Sequence, residues 1–400
     1  MMFLLFILLC GIPSSITQGV VLVNCRSSCK LSFHNEHALR NILIVPTSDK
    51  TYSKIVNELY SHNDVNAFVK DFVIGKVLPN HRHHHVHHRS LKAIAPRYNQ
   101  WYLKTIKADK VWKLTKGSRN TIVAILDSGV DYTHPDLSNT REGNEDIYDY
   151  GYNFGGCTTQ PNPYDIQGHG THIAGVIAAN LNNFGITGIA PNVKIMSLRV
   201  TDCSGNIWAS AVLKALDYAY TMNASIVVTS FGGIYPPNFS PVVQAPKYHK
   251  DMSIIFESSL KTLASRNIIV IAAAGNENIN LDNLDKYEYF YSPCLQSKVL
   301  SNVICVKSSS QSGNVSSYSN FGLDGYSIVA PGEDIISTSY NHTYRNMTGT
   351  SMATAVAAGT LALVLNYKHV NNNVSLIKHA MITSSQPTLD AQQLFKNLNK

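Results

Sequence analysis

Four polar residues stand at the ends of apolar runs, each close to glycine or another small residue. Asp127 follows TIVAIL (121–126) and precedes Ser128-Gly129. His169 lies in GHGTHIAG (168–175), Asn276 in AAAGNEN (272–278) and Ser351 in GTSMAT (349–354). An acid, an imidazole and a hydroxyl can together carry acyl transfer. The imidazole takes the hydroxyl's proton, and the carboxylate holds the imidazole. Helix N–H groups and a side-chain amide such as that of Asn276 can donate to the oxyanion. Taken singly, each residue also has a plain structural role. Asp127 is equally a helix N-cap, His169 a structural histidine, Ser351 a cap and Asn276 a turn residue. His172, one turn after His169, reads as structural or as an aid to the first turn.

These residues need a scaffold, and the chain between them supplies one. Continuous apolar runs occur at Thr121–Leu126, Lys194–Leu198, Ser225–Thr229, Ile268–Ala273 and Val303–Val306. Helix candidates lie between them at 170–180, 208–222 and 254–265. Strands apolar on both faces, separated by helices, predict a mostly parallel sheet in an α/β fold. In such sheets a site forms beyond the carboxyl ends of the strands. Residues 20–80 predict a smaller α+β unit, with strands at Asn41–Val45, Ala67–Phe72 and Phe72–Leu78. Its helix at Thr51–Ser61 puts Ile55 and Leu59 at i, i+4. Then HRHHHVHHRS carries six histidines between His81 and His88 and reads as an exposed linker. Metal binding and a pH-sensitive hinge are the other readings of that tract.

Composition narrows the classes. The chain has 400 residues, 44% hydrophobic and 15% charged, which excludes a mainly disordered chain or a coiled coil. Residues 1–96 carry ten Lys+Arg against five Asp+Glu, and the remainder 23 against 21. The larger part is near neutral and gives no case for nucleic-acid binding. Phe3–Ile12 is a short apolar run followed by small and polar residues, so residues 1–19 predict a signal peptide and a secreted or secretory-pathway protein. No later segment is long enough to span a bilayer. Cys10 leaves with the leader, and Cys25, Cys29, Cys157, Cys203, Cys294 and Cys305 remain, an even number compatible with disulfides; Cys25 and Cys29 stand alone near the new N-terminus, so the other four could form up to two bridges of open pairing. Sequons occur at Asn223, Asn238, Asn314, Asn341, Asn346 and Asn373, so a glycoprotein is expected.

Taken in order, IKADKVW…VAILDSGVDYTHPDL, GHGTHIAG, SFGG, AAAGNEN and GTSMAT resemble the subtilisin-like serine proteases, the subtilases, over roughly residues 98–385. The resemblance implies a three-layer subtilisin-like fold and a serine endopeptidase acting on polypeptides. Ser351 would be the nucleophile, His169 the general base and acid, Asp127 the residue that holds the imidazole, and Asn276 the oxyanion donor. Substrate would lie extended between Ser230-Phe231-Gly232 and the loop Cys203–Asn206. Ala273, Ala274 and Gly275 would form the far wall of the S1 pocket. A structural Ca²⁺ would be held by Asp136, the Asn182 side chain and the carbonyls of Asn180, Phe184 and Ile186. The family's N-terminal Gln ligand has no clear match.

The same resemblance makes residues 20–80 an inhibitory propeptide, 81–97 the His-rich linker and processing region, and 98–400 the catalytic domain. Self-cleavage is expected between Asn80 and Asn99, and a monomer afterwards. The chain departs from the family at Ala355, where a proline is usual, and at Val228, where Asn is usual. The 49 residues after Ser351 leave no room for a convertase-type extra β domain. A catalytically impaired homologue, acting as a binding or regulatory protein, is the alternative.

Overall fold

Seven strands form the central sheet of the computed structural model: β6 (Ile122–Asp127), β7 (Gly151–Asn153), β8 (Lys194–Arg199), β10 (Ile226–Thr229), β12 (Ile269–Ala273), β14 (Val303–Ser309) and β15 (Ser327–Pro331). Their order is β15-β14-β12-β10-β6-β8-β7. Every pair is parallel. The structure describes residues 97–140, 151–156, 161–234, 245–284, 290–291, 293–367 and 372–399. Before them it describes 19–25, 36–37, 42–47, 54–55, 58–59, 65–70 and 73–76. The leader, the histidine tract, Cys29, Cys157 and Asn238 lie outside the described residues.

The apolar runs are continuous because both faces of the sheet are covered. Successive side chains of a strand point to opposite faces. Val123, Ile125, Ile226, Val228, Ile269, Ile271, Ile304 and Val306 join one core with the helices His169–Ala178 and Thr350–Val364. The alternating Ala124, Leu126, Val227, Val270 and Val303 join another with Ala209–Thr221 and Ala245–Ala264. This is a helix–sheet–helix sandwich, and it is the α/β fold expected. Full burial of one such aliphatic side chain stabilises by about 1.5–3 kcal/mol.

The helix Ala245–Ala264 starts well before the expected 254. Its first turn carries Pro246, which is preorganised for a helix start, and its KYHKD stretch has too few apolar residues to show a helical period. Short strands β7 and β15 also lack a sequence signal of their own. So does the antiparallel hairpin β16 (Ile335–Ser339) and β17 (Thr343–Met347).

In the N-terminal part, β1 (Gly19–Cys25), β2 (Glu36–His37), β3 (Ile42–Thr47) and β4 (Val65–Lys70) form an antiparallel sheet in the order β2-β3-β1-β4. Ile55 and Leu59 are buried. Leu22 and Ile44 share a core cluster with Met252 and Phe256, so this sheet packs on the helix Ala245–Ala264. The strand β5 (Val73–Lys76) runs antiparallel to β9 (Asn206–Trp208). One disulfide joins Cys294 to Cys305, and Cys203 is disulfide-bonded too; Cys25, expected to stand alone, is also disulfide-bonded. Among the described residues no helix is long and apolar enough to cross a membrane.

Candidate active site

Asp127 ends β6, and Ser230 follows the last residue of β10. Leu126 pairs with Thr229, so Asp127 and Ser230 occupy matching positions on neighbouring strands. Strand spacing puts those positions roughly 4.8 Å apart. Each takes hold of one helix start. His169 Nδ1 donates to Asp127 Oδ1 at 2.8 Å and is 2.9 Å from Oδ2. The Ser351 hydroxyl donates to the Ser230 carbonyl at 3.0 Å. A carboxylate only accepts, so Nδ1 carries the proton and the neutral ring keeps Nε2 as an acceptor. The two helices pack against each other, with Gly359 on one beside Ile177 on the other.

Close approach at the His169 helix is made by glycine. A Cβ on Gly170 would sit 2.1 Å from the Gly129 carbonyl and 3.1 Å from Asp127 Cβ. On Gly168, whose φ is +96°, it would sit 2.4 Å from Ser339 Oγ. The start of this helix is capped by a residue that the motif reading missed. Buried Asp165 accepts from the N–H groups of Gln167 and Gly168 through Oδ1, and from Thr171 N–H and Oγ–H through Oδ2. Asp165 also accepts the Ser128 hydroxyl at 2.9 Å, and that Oγ accepts the Gly170 N–H at 2.9 Å. Burial pushes the Asp165 pKa up against these donors. The only sequence trace of this role is an acid four positions before His169.

His169 is pulled in two directions. Burial disfavours its cation, while the Asp127 charge and hydrogen bond and the Asp165 charge favour it, and the net pKa is raised. His172 differs. Burial and the neighbouring His169 push its pKa down to about 3, and its Nε2–H donates to the carbonyls of Ile335 and Arg345 at 2.9 and 3.0 Å. It is a neutral tie between the helix and the β16–β17 hairpin.

Asn276 is aimed by Thr350. Its Oδ1 accepts the Thr350 N–H at 2.9 Å and the Thr350 hydroxyl at 3.0 Å. That fixes which end of the amide is oxygen, and turns Nδ2 away as the free donor. A Cβ on Gly349 would lie 3.6 Å from that Nδ2, so the donor borders the turn that begins the Ser351 helix. Asn320, also missed, buttresses this loop. Its Oδ1 accepts from the N–H groups of Glu277 and Ile279, and its Nδ2 donates to the Ala274 carbonyl and the Glu277 carboxylate.

The expected substrate-contacting residues fall beside these groups. Ser230 and Phe231 are nearly buried, and Ala273 ends β12 one strand away. Ala274 is buried, and Gly275, at φ +103°, donates its N–H to Thr350 Oγ1 at 3.1 Å. The structure thus gathers Asp127, His169, Ser230, Ala273, Asn276 and Ser351 at one edge of the sheet.

Comparison with known proteins identifies the family. The model of the subtilase family, Peptidase_S8, matches residues 118–398. The chain belongs to the subtilase family. The thermophilic serine proteinase of a Bacillus strain, AK1, is 33% identical over 269 residues, 67% of this chain and 57% of that protein. Thermitase of Thermoactinomyces vulgaris is 33% identical over 276 residues, 69% of this chain and 85% of that protein. Among solved structures, the epidermin leader peptide processing serine protease of Staphylococcus aureus aligns over 96% of this chain and 99% of its own, with a TM-score of 0.71 at 20% identity. That likeness is one of fold. The chain therefore spans just over half of the first of these relatives.

The expected subtilase calcium loop lies apart from the triad. Asp136 opens a short 3₁₀ turn, Pro135–Thr140, and faces the segment 180–186. Burial raises its pKa, opposed by hydrogen bonds from the Asn182 amide, the Ile186 N–H and the Tyr344 hydroxyl and by the charge of Arg97. Burial and the charge of Asp136 push the Tyr344 pKa well up, so Tyr344 stays a phenol donor.

Proposed function

We propose that this subtilase is a secreted serine endopeptidase, made as a zymogen and self-processed, that cuts polypeptides by an Asp127-His169-Ser351 triad. The observation that carries the reading is the Asp127–His169 pair, which leaves Nε2 of a neutral imidazole free at the strand edge where Ser351 begins its helix. For attack, the Ser351 hydroxyl turns about χ1 from the Ser230 carbonyl to Nε2 of His169. His169 takes the proton as Oγ bonds to the scissile carbonyl carbon. The oxyanion accepts from Asn276 Nδ2 and the Ser351 N–H. His169 then returns the proton to the leaving amine, and a water molecule repeats the cycle on the acyl-enzyme.

Substrate lies as an added strand, between Ser230–Gly232 and the 203–206 segment. Pairing of β5 with β9 supports the zymogen reading. A strand from the N-terminal unit already augments the edge beside the substrate segment, as an inhibitory propeptide would. Glycosylation fits the exposed positions of Asn223, Asn314, Asn341, Asn346 and Asn373.

One observation favours the impaired-homologue reading. The nucleophile's proton is given to the Ser230 carbonyl rather than to His169. A fluorophosphonate probe decides between the two. Labelling of the wild-type chain that disappears in Ser351→Ala supports the peptidase, and no labelling of a folded, processed chain supports the homologue.

A further inference from the structure

The segment 180–186 was expected to wrap a calcium ion against Asp136, but the Asn182 amide and the Asp136 carboxylate are already paired with each other and with their neighbours. Asn182 is the most informative. Its Oδ1 accepts the Phe184 N–H at 3.0 Å, so the nitrogen end of the amide faces Asp136 and donates to Oδ1 at 2.7 Å. A cation shared by these two residues needs oxygen on both sides. Here one side presents hydrogens. Asp136 Oδ2 accepts the Ile186 N–H at 2.9 Å and the Tyr344 hydroxyl at 2.7 Å. The Asn180 carbonyl accepts the Asn182 N–H at 3.1 Å. Gly185 also packs closely against Asp136 and Tyr344. A Cβ on Gly185, whose φ is +59°, would sit 2.1 Å from Asp136 Oδ2 and 2.2 Å from Tyr344 Oη.

The loop does have a positive charge. Arg97 donates from Nη2 to the Asn182 carbonyl, and its charge bears on Asp136. Its neighbours hold it there. Tyr98 N–H donates to the Gly185 carbonyl at 3.0 Å, and the Tyr98 ring lies 4.9 Å from that of Tyr344. Gln100 pairs both ways with the Thr187 backbone, at 2.8 Å in each direction. The four residues 97–100 thus strap the loop from outside.

We propose that Arg97 is the resident cation of this loop: its guanidinium, with the Tyr344 hydroxyl and the Asn182 amide, replaces a divalent ion, and the loop holds its shape without calcium. A guanidinium held on the Asn182 carbonyl and a Ca²⁺ held on Asp136 across the same loop repel each other, so each disfavours the other. Stability then depends on the strap that begins at Arg97, and processing must leave Arg97 attached. The inference does not rest on the peptidase reading, since no residue of the triad takes part.

The test uses the full chain carrying Ser351→Ala, which cannot cut itself under the reading above, and compares melting in millimolar CaCl₂ with melting in EDTA. The two curves should coincide. Arg97→Gln should lower the midpoint in EDTA by about 1–2 °C, the shift of one modest interaction in a chain this large. A calcium-dependent rise that Asp136→Asn abolishes would overturn the proposal, and so would an unchanged midpoint in EDTA for Arg97→Gln. A rise that survives in Asp136→Asn places the ion elsewhere and leaves this loop metal-free, as proposed. Arg97 is exposed, so the Arg97→Gln arm does not depend on whether the Asp136 variant folds.

Discussion

Under the proposed mechanism, the raised pKa of His169 sets the acid limb of activity. The base works only as neutral imidazole, so the acid limb of kcat/KM should lie above the ordinary histidine range. Asp165→Asn removes a negative charge that favours the cation, so the His169 pKa should fall and the acid limb should move to lower pH. The same change removes an acceptor from the Thr171 donors and should cost roughly 1–3 kcal/mol of stability. A pH–rate profile with a urea melt separates the two effects, and an unmoved limb contradicts the charge argument. Asn276→Ala should lower kcat by about 10²–10³ with little change in KM, the loss known for a side-chain donor of this kind in subtilisin. Equal loss in KM would mean that Asn276 holds ground-state substrate instead. Asp127, His169, Asn276 and Ser351 were legible because each sits in a short, distinctive motif. Asp165, Ser128, Thr350 and Asn320 were not, because their roles exist only once the fold brings their partners near.

The elements act through close contact. Gly170→Ala would push its Cβ into the Gly129 carbonyl and against Asp127, so the helix start must withdraw from β6. Overpacking of this kind costs about 1–3 kcal/mol. It should also lengthen the Asp127–His169 bond, so kcat should fall more than stability alone explains. Full activity in Gly170→Ala would show that the helix can adjust without cost. His172 ties the same helix to the β16–β17 hairpin. Its pKa is lowered in the fold, so its contribution is full above the unfolded value near 6.5 and is lost as pH falls toward about 3. Wild type should therefore lose stability steadily through this residue as pH falls from about 6.5 toward 4. His172→Asn should flatten that slope in urea melts at several pH values, and an identical slope would contradict the assignment. The parallel strands were legible as buried apolar runs. The hairpin and β15 were not, because TYRNM and SIVAP owe their pairing to tertiary contact rather than to period. At the departures, Ala355 lies buried inside an unbroken helix, and Val228 packs in register between Ile125 and Ile271.

At the scale of the molecule, two units meet. The N-terminal sheet lies on the helix Ala245–Ala264, and its following strand reaches the edge strand beside the site. If this is a zymogen, the wild-type chain should separate into two fragments while Ser351→Ala stays whole, and the isolated 20–80 unit should inhibit the mature enzyme. Conversion at mildly acidic pH should be faster than at neutral pH and should lose that dependence when the histidines at 81–88 are replaced. Unchanged pH dependence would remove the tract from the process. The α+β character of residues 20–80 was legible from alternating strands and the Ile55–Leu59 pair, whereas no motif told how that unit docks. The proposed activity depends on one shared proton path between Asp127, His169 and Ser351. Mapping the adduct of a fluorophosphonate probe by mass spectrometry tests it most directly. A single modified residue, Ser351, is expected, with labelling strongly slowed in His169→Ala and Asp127→Ala. Equal labelling in those variants, or an adduct on another residue, would contradict it.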